Sequence, residues 1–505
     1  LETFRHMVTE DANFRVRPVL AVFMSFSYKV LAFDPLALHI LSAILLGLMI
    51  AAVYMVARKW GLSRMWALAL AMIFGTLPHY STDRFWISSQ QAVFCILFAM
   101  IGIYGTLKVV EQGARRRILW GMVAASGLAL SFLSYEVVVG MIAAMLLLVG
   151  VRTYRDARKS GVRDKAPLLW IGGIILTLFV LGIAKTMLQD RIVYQHHLMR
   201  FLGRLGHMAA HGAEQAITFN LWTYGLHLPW AVVRLWQNGA IRPAAVAASC
   251  LVGAAVIALL WPAGSEVFWS SRTALKVIAA GFVVYALGVF LFVRSLDSNF
   301  SAPGANNRIT IAAALGAAMV WVGLVALICR LIPSPIARQR AFSVLIGLSC
   351  AANCLVVNGI AWYWMDSARK QDEILQTVKA HVAPLPAKSI LMLDGFCRYD
   401  GPSPVFETDW DTTSAVRLLY GDFSLTGDVV SSNATFGPEY VDTTLYGDAE
   451  GHYPYGKNLY VFNVRDQSLR TLDSREAALR YLREMNPTGN NGCPAARDGD
   501  GVKVF

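Results

Sequence analysis

The sequence predicts a polytopic α-helical membrane protein with about ten spans, followed by a C-terminal soluble α/β or α+β domain. Of its 505 residues, 56% are hydrophobic and only 15% are charged, and the mean hydropathy is +0.48, values atypical of a soluble globular chain. Up to Met365 there are 31 Lys and Arg against 13 Asp and Glu, whereas residues 366–505 contain 14 against 20. The basic excess therefore belongs to the apolar part, where it orients spans, and does not indicate nucleic-acid binding.

The predicted elements begin with an interfacial amphipathic helix at residues 14–33, because FRVRPVLAVFMSFSYKVLAF is apolar but contains Arg15, Arg17 and Lys29. Pro18 suits a first helical turn. Segments that can cross about 30 Å of hydrocarbon follow, the second of them short: Leu36–Ala57, Met65–Leu77, Gln90–Leu107, Ile118–Ser134, Val137–Val151, Pro167–Met187, Pro243–Trp261, Ala274–Val293, Ile309–Cys329 and Ala341–Trp364.

Loop charges predict the orientation. One alternating set of loops is rich in Lys and Arg and is expected in the cytoplasm, including Arg58–Arg64, Lys108–Arg117, Arg152–Lys165, Arg272–Lys276 and Arg330–Arg340. The opposite set contains Asp83, Glu136, the long loop at residues 189–242, the loop at 294–308 and the tail. These are expected in the periplasm of a bacterial inner membrane, or its equivalent. The predicted domains are thus residues 1–365, in the membrane, and residues 366–505, outside the cytoplasm.

The tail has the pattern of a separate domain. SILMLDGF and NLYVFNV predict buried strands, and SREAALRYLREM predicts an amphipathic helix. Cys397 and Cys493 both lie in this tail, where an oxidising compartment favours a disulfide between them. No spacing in the chain indicates a metal site, a P-loop or a dinucleotide fingerprint.

Charged residues at predicted span ends are the candidate functional groups. The stretch Leu77–Gln91 places Asp83 and Arg84 between two apolar runs, which is costly unless they line a wet cavity or lie at the interface. An interfacial loop with aromatic anchors is the alternative. Glu136 has apolar neighbours in SFLSYEVVVG and is either functional or a packing carboxylate.

Arginines supply candidate phosphate ligands. Arg308, in NFSAPGANNRIT, has the guanidinium geometry that grips phosphate oxygens, and snorkelling to the interface is the alternative. Arg200 and Arg204 form a helical stripe with His207 and His211 that faces either lipid headgroups, a lipid-phosphate donor or simply solvent. The histidines lack clustered carboxylates, which argues against zinc.

Four segments of the N-terminal third together resemble a known class. RPVLAVFMSFSYKVLAFDPLALHILSAILL, VARKWGLSR, GTLPHYSTDRFWISSQQAVFCILFAM and LALSFLSYE are similar in order and spacing to the GT-C class of polyprenyl-phosphate-sugar-dependent glycosyltransferases, in particular the protein O-mannosyltransferase-like branch. The resemblance covers about residues 15–140. Its shared features are an Arg-Pro opening an outer helix, a turn similar to HPxHxE and a Ser-x-Glu after a later span.

The chain departs from that pattern in two places. Asp83 replaces the usual Glu of the turn, which keeps a carboxylate with a shorter reach. The acidic motif of the first outer loop lies further upstream of Arg-Pro in the family than this chain extends. Glu10 or Asp11 can serve in a shortened loop, but we expect the base, and one more span, to belong to sequence before Leu1.

The resemblance implies transfer of a monosaccharide from a polyprenyl-phosphate donor to a glycan, lipid or protein acceptor, with inversion, at the extracytoplasmic face of the membrane. The candidate catalytic acids are Asp83, Glu136, Asp11 and Glu10, and the candidate substrate-binding residues are Arg308, Arg84, His79, Arg17, Arg200 and Arg204. The resemblance implies no definite cofactor, and either these cations or a divalent metal ion can stabilise the departing phosphate. Two other functions stay open: a transporter or flippase for a lipid-linked saccharide, and a non-catalytic scaffold subunit that retains the fold.

Overall fold

The chain divides into two compact units. In a computed structural model, residues 12–31, 34–111, 114–160, 166–188, 214, 218–261, 268–293, 305–430, 434–445, 448–488 and 491–493 are described. One unit comprises residues 1–232, 242–302 and 307–357, and the other comprises residues 233–241, 303–306 and 358–505.

The first unit is helical. Among the described residues, nine helices are long and apolar enough to cross a membrane, so the chain is a multi-pass membrane protein. Its helices are α1 (Ala12–Val16), α2 (Pro18–Leu31), α3 (Pro35–Lys59), α4 (Arg64–Thr76), α5 (Thr82–Phe85), α6 (Gln91–Glu111), α7 (Ala114–Ser134), α8 (Val139–Ser160), α9 (Ala166–Leu188), α10 (Leu228–Gln237), α11 (Pro243–Leu260), α12 (Ser271–Val293), α13 (Ile311–Cys329) and α14 (Pro335–His381). Helices α10 and α14 each continue into the second unit.

Two predicted elements near the N-terminal end of the chain differ in the structure. The interfacial helix expected at residues 14–33 is divided into α1 and α2 at Arg17, because Pro18 has no N–H to continue the first helix and begins a second one. The second predicted span, Met65–Leu77, is the 13-residue helix α4. At 1.5 Å per residue this helix is about 20 Å long, less than the hydrocarbon core requires.

Apolar side chains cover the outward faces of the spans. Along α3, Leu36, Ile40, Ile44 and Leu48 recur every fourth residue and are each at least half exposed. Such a stripe is expected of a helix that faces lipid tails instead of water.

Glycines let two pairs of helices pack closely. A Cβ atom on Gly127 of α7 would lie 2.8 Å from the backbone nitrogen of Gly102 in α6, and one on Gly288 of α12 would lie 2.8 Å from that of Ala313 in α13. Small residues at helix contacts in membranes allow such close backbone approach. The end of α7 and the start of α13 both contribute to the candidate site.

In its described residues, the second unit contains three small sheets and two further helices. Its strands are β1 (Ile390–Asp394), β2 (Tyr399–Asp400), β3 (Ser403–Pro404), β4 (Thr426–Val429), β5 (Thr435–Phe436), β6 (Tyr440–Leu445), β7 (Asp448–Pro454), β8 (Leu459–Asn463) and β9 (Ser468–Thr471), and its own helices are α15 (Asp409–Tyr420) and α16 (Arg475–Met485). The main sheet has the order β4-β1-β8-β9, with β1 parallel to both neighbours. The strands and the helix predicted in the tail are confirmed as β1, β8 and α16.

Helix α14 extends beyond the predicted span. We expected the span to end at Trp364, before the change of composition at Asp366, but the helix runs for 47 residues to His381. No Gly or Pro lies between Asp366 and His381, and Pro384 follows soon after, so the sequence offers no stop signal within the polar part.

The predicted disulfide between Cys397 and Cys493 is present, with the two Cα atoms 5.6 Å apart. It joins the loop after β1 to the segment after α16. The bridge therefore closes a loop around most of the second unit.

Candidate functional site

The candidate site is built on residues 77–90, which we call the Asp83 turn. The side chain of Asn307 fixes this turn, because its Oδ1 accepts from the backbone N–H of Thr82 at 3.0 Å and its Nδ2 donates to Ser81 Oγ at 2.6 Å. The Thr310 hydroxyl donates to the carbonyl of His79. The start of α13 is thus tied to the turn.

Three side chains of the turn, His79, Tyr80 and Asp83, are buried. The hydroxyl of Tyr80 donates to the carbonyl of Phe74 at 2.6 Å, which satisfies one of these buried polar groups.

Asp83 is the most unusual group in the turn. Its residue is 1% exposed, and neither carboxylate oxygen has a hydrogen-bond partner in the described part of the chain. Burial raises the pKa of this carboxyl well above its ordinary value, and the opposing charges of Arg308 and Arg84 only partly offset that effect. A buried carboxylate flanked by two cations but bonded to neither is suited to exchanging a proton.

The two flanking arginines rest on aromatic rings. The guanidinium of Arg308 lies 5.0 Å from the ring centre of Trp86, and that of Arg84 lies 4.6 Å from the ring centre of Tyr80. Arg84 also donates to the carbonyl of Leu77 at 2.8 Å. In both arginines Nε is buried and has no partner among the described residues, so each retains donors for an anion.

Glu136 has different surroundings. Lys185 Nζ lies 2.7 Å from its Oε2, Arg17 Nε donates to the same oxygen at 3.2 Å, and Arg17 also contacts Oε1. Arg17 lies at the break between α1 and α2, and its guanidinium is 4.8 Å from the ring centre of Tyr135. The oxygens of Glu136 are therefore already occupied by two cations.

Tyr135 connects the two groups of charges. It is buried, which raises its pKa, and the charges of Arg308, Arg17, Glu136 and Asp83 all act on its hydroxyl. These charged residues at the ends of different spans therefore lie near one another. Within the described residues the assembly contains four cations, Arg17, Arg84, Lys185 and Arg308, and two acids, Asp83 and Glu136, an excess of positive charge that favours an anionic ligand.

A π-helix at Thr218–Leu226 packs on the Asp83 turn. Asn220 Oδ1 lies 2.7 Å from His79 Nε2, and its Nδ2 donates to the hydroxyl of Tyr285 at 2.7 Å. Tyr224 places its ring 4.9 Å from that of His79. Burial lowers the pKa of His79 to about 4, so this imidazole is neutral at physiological pH.

Sequence reasoning missed several of these residues. Lys185 could have been recognised from the sequence, because it is the one charged residue in the predicted span Pro167–Met187. Nothing in the sequence distinguishes Asn220 or Asn307, since polar residues are common in loops. Of the predicted site residues, Glu10, Asp11, Arg200 and Arg204 lie outside the described residues.

No group of three or more His, Cys, Asp or Glu residues able to hold a metal ion occurs in the described part of the chain. Comparisons with protein-family models, with curated proteins and with solved structures found no match to this chain.

Proposed function

We propose that this protein is an integral-membrane glycosyltransferase that moves a monosaccharide from a polyprenyl-phosphate donor to an acceptor hydroxyl at the extracytoplasmic face. The observation that carries the proposal is the carboxylate of Asp83, which is buried, has no hydrogen bond among the described residues and lies near the charges of Arg308 and Arg84. Such a site combines a proton acceptor with phosphate ligands. The lipid-facing spans around it suit a donor whose prenyl chain stays in the membrane.

The proposed reaction assigns a role to each charged group. The acceptor oxygen forms a bond to the anomeric carbon, the bond from that carbon to the phosphate oxygen breaks, and polyprenyl phosphate departs with the electron pair. Asp83 takes the proton of the acceptor hydroxyl. Arg308 and Arg84 stabilise the charge that develops on the phosphate.

Glu136 acts as a positioning residue in this scheme. Because its oxygens are bonded to Arg17 and Lys185, it orients these two cations toward the same anion instead of accepting a proton. This assignment differs from the sequence-based expectation, in which Glu136 and Asp83 were both catalytic acids.

The experiment is a transfer assay with the protein in lipid nanodiscs and a panel of polyprenyl-phosphate monosaccharides. We expect the parent to transfer one of these sugars, Arg308→Ala to lower the rate by roughly 10²-fold, and Lys185→Met to lower it as well. Glu111→Gln is the matched control, because Glu111 pairs with Lys59 in loops of the predicted cytoplasmic set. Absence of transfer from every donor, or full activity of both site variants, would reject the proposal.

A further inference from the structure

The second unit has one sheet face with aromatic and hydrogen-bonding side chains in register. Thr435 of β5 pairs with Asp442 of β6, and Asp442 pairs with His452 of β7. Tyr440 precedes Asp442 by two residues and so lies on the same side of β6. We call these four residues the Tyr440 face.

The other side of the same sheet is part of the protein core. Val441 and Tyr453, which alternate with the residues of the Tyr440 face, are buried against Met392 and Val461 of the main sheet. The alternation therefore directs the Tyr440 face outward. The side chain of His452 is 63% exposed.

The side chains of this face are held in place before any ligand arrives. The rings of Tyr440 and His452 are in contact, with their centres 3.8 Å apart, and His452 Nδ1 lies 2.7 Å from Asp442 Oδ1. A side chain that is already ordered loses little entropy on binding.

We propose that the Tyr440 face binds a neutral oligosaccharide. A pyranose ring has an apolar C–H side that packs on aromatic rings and a rim of hydroxyls that need both donors and acceptors. The face supplies the rings of Tyr440 and His452, the carboxylate of Asp442 and the hydroxyl of Thr435. The charge of Asp442, with exposed Glu439 just before β6, disfavours anionic lipids and acidic glycans.

This inference goes beyond the proposed transfer reaction, because binding requires no donor and no chemistry. The test uses the full-length protein in nanodiscs without donor. The probes are hexasaccharides of mannose, glucose, galactose and N-acetylglucosamine, with hexagalacturonate as the acidic comparison. Saturation-transfer NMR detects binding, and titration gives the affinity.

We expect at least one neutral hexasaccharide to bind, and Tyr440→Ala and His452→Ala each to weaken it by about tenfold. Phe423→Ala is the matched control, because Phe423 is an aromatic residue of the same unit that is 75% exposed and lies outside the face. Hydrogen exchange of the β8 amides reports whether each variant is folded. The proposal is overturned if no neutral probe binds, if hexagalacturonate binds more tightly, or if a folded Tyr440→Ala protein keeps the parent affinity.

Discussion

Asp83 and Glu136 are both acids at the ends of spans, yet their surroundings give them different chemistry. Asp83 has two nearby cations but no hydrogen bond among the described residues, whereas Glu136 is bonded to Arg17 and Lys185. A carboxylate without bonds is destabilised by burial and gains from taking a proton. A carboxylate bonded to two cations gains no comparable stabilisation from taking a proton.

The raised pKa of Asp83 predicts how stability depends on pH. Since the pKa is higher in the folded state, the folded protein binds a proton that the unfolded chain has released, and stability falls as the pH rises from the ordinary carboxyl value toward the raised one. The substitution Asp83→Asn removes this loss of stability at higher pH, because an amide does not titrate. We expect its melting temperature to exceed that of the parent near neutral pH and the difference to disappear below about pH 4.

Thermal unfolding of both proteins in the same detergent, across that pH range, checks this prediction. The prediction is contradicted if the melting temperatures of the parent and of Asp83→Asn differ by the same amount at every pH.

The ion pairs of Glu136 predict an asymmetric effect of mutation. Glu136→Gln leaves Arg17 and Lys185 without the charge that separates them, so we expect a loss of about 1–2 kcal/mol in the free energy of unfolding, because Glu136 is partly exposed and screened. Adding Lys185→Met should restore part of the loss. Chemical denaturation of the two single variants and the double variant measures the coupling, and strictly additive effects would show that the pair is energetically unimportant.

At the scale of elements, closely packed helix pairs hold the site together. We predict that Gly127→Ala lowers the free energy of unfolding by about 1–3 kcal/mol, because a Cβ atom there would lie 2.8 Å from a backbone nitrogen of α6. Gly173→Ala is the matched control, since Gly173 lies in helix α9 with nothing within 4 Å of its Cβ position. Equal melting temperatures for the two variants would contradict the role of this contact.

The elements also show what the sequence can reveal. Hydropathy located the spans because an apolar run of about 20 residues is long enough to cross the hydrocarbon core and is rare in soluble chains, and loop charges grouped Asp83, Glu136 and Arg308 on one side. The pairing of Glu136 with Lys185 was not predictable, because it depends on the contact between the end of α9 and that of α7. The β5–β6–β7 sheet was missed because β5 is only two residues long. Whether so short a segment forms a strand depends on its pairing with a neighbouring strand and not on its own sequence.

At the scale of the whole molecule, the sidedness of the membrane part is a prediction from loop charge. Placing Arg115–Arg117 in the cytoplasm requires residues 366–505 to lie outside. We expect Phe423→Cys to react with a membrane-impermeant thiol reagent in intact cells and Arg117→Cys to react only after permeabilisation. Both variants should be made with Cys250→Ser, because Cys250 is an exposed free cysteine. The reverse labelling pattern would place the site on the wrong side for an extracytoplasmic donor.

Single-turnover transfer with the donor bound in advance tests the role of Asp83 as proton acceptor most directly. Protein in nanodiscs is loaded with the polyprenyl-phosphate sugar that the parent uses and is then mixed with acceptor. For Asp83→Asn we expect donor binding close to that of the parent and a transfer rate lower by roughly 10²–10⁴-fold, while Glu111→Gln behaves as the parent does. An Asp83→Asn protein that transfers sugar at the parent rate would contradict the assignment of Asp83 as the proton acceptor.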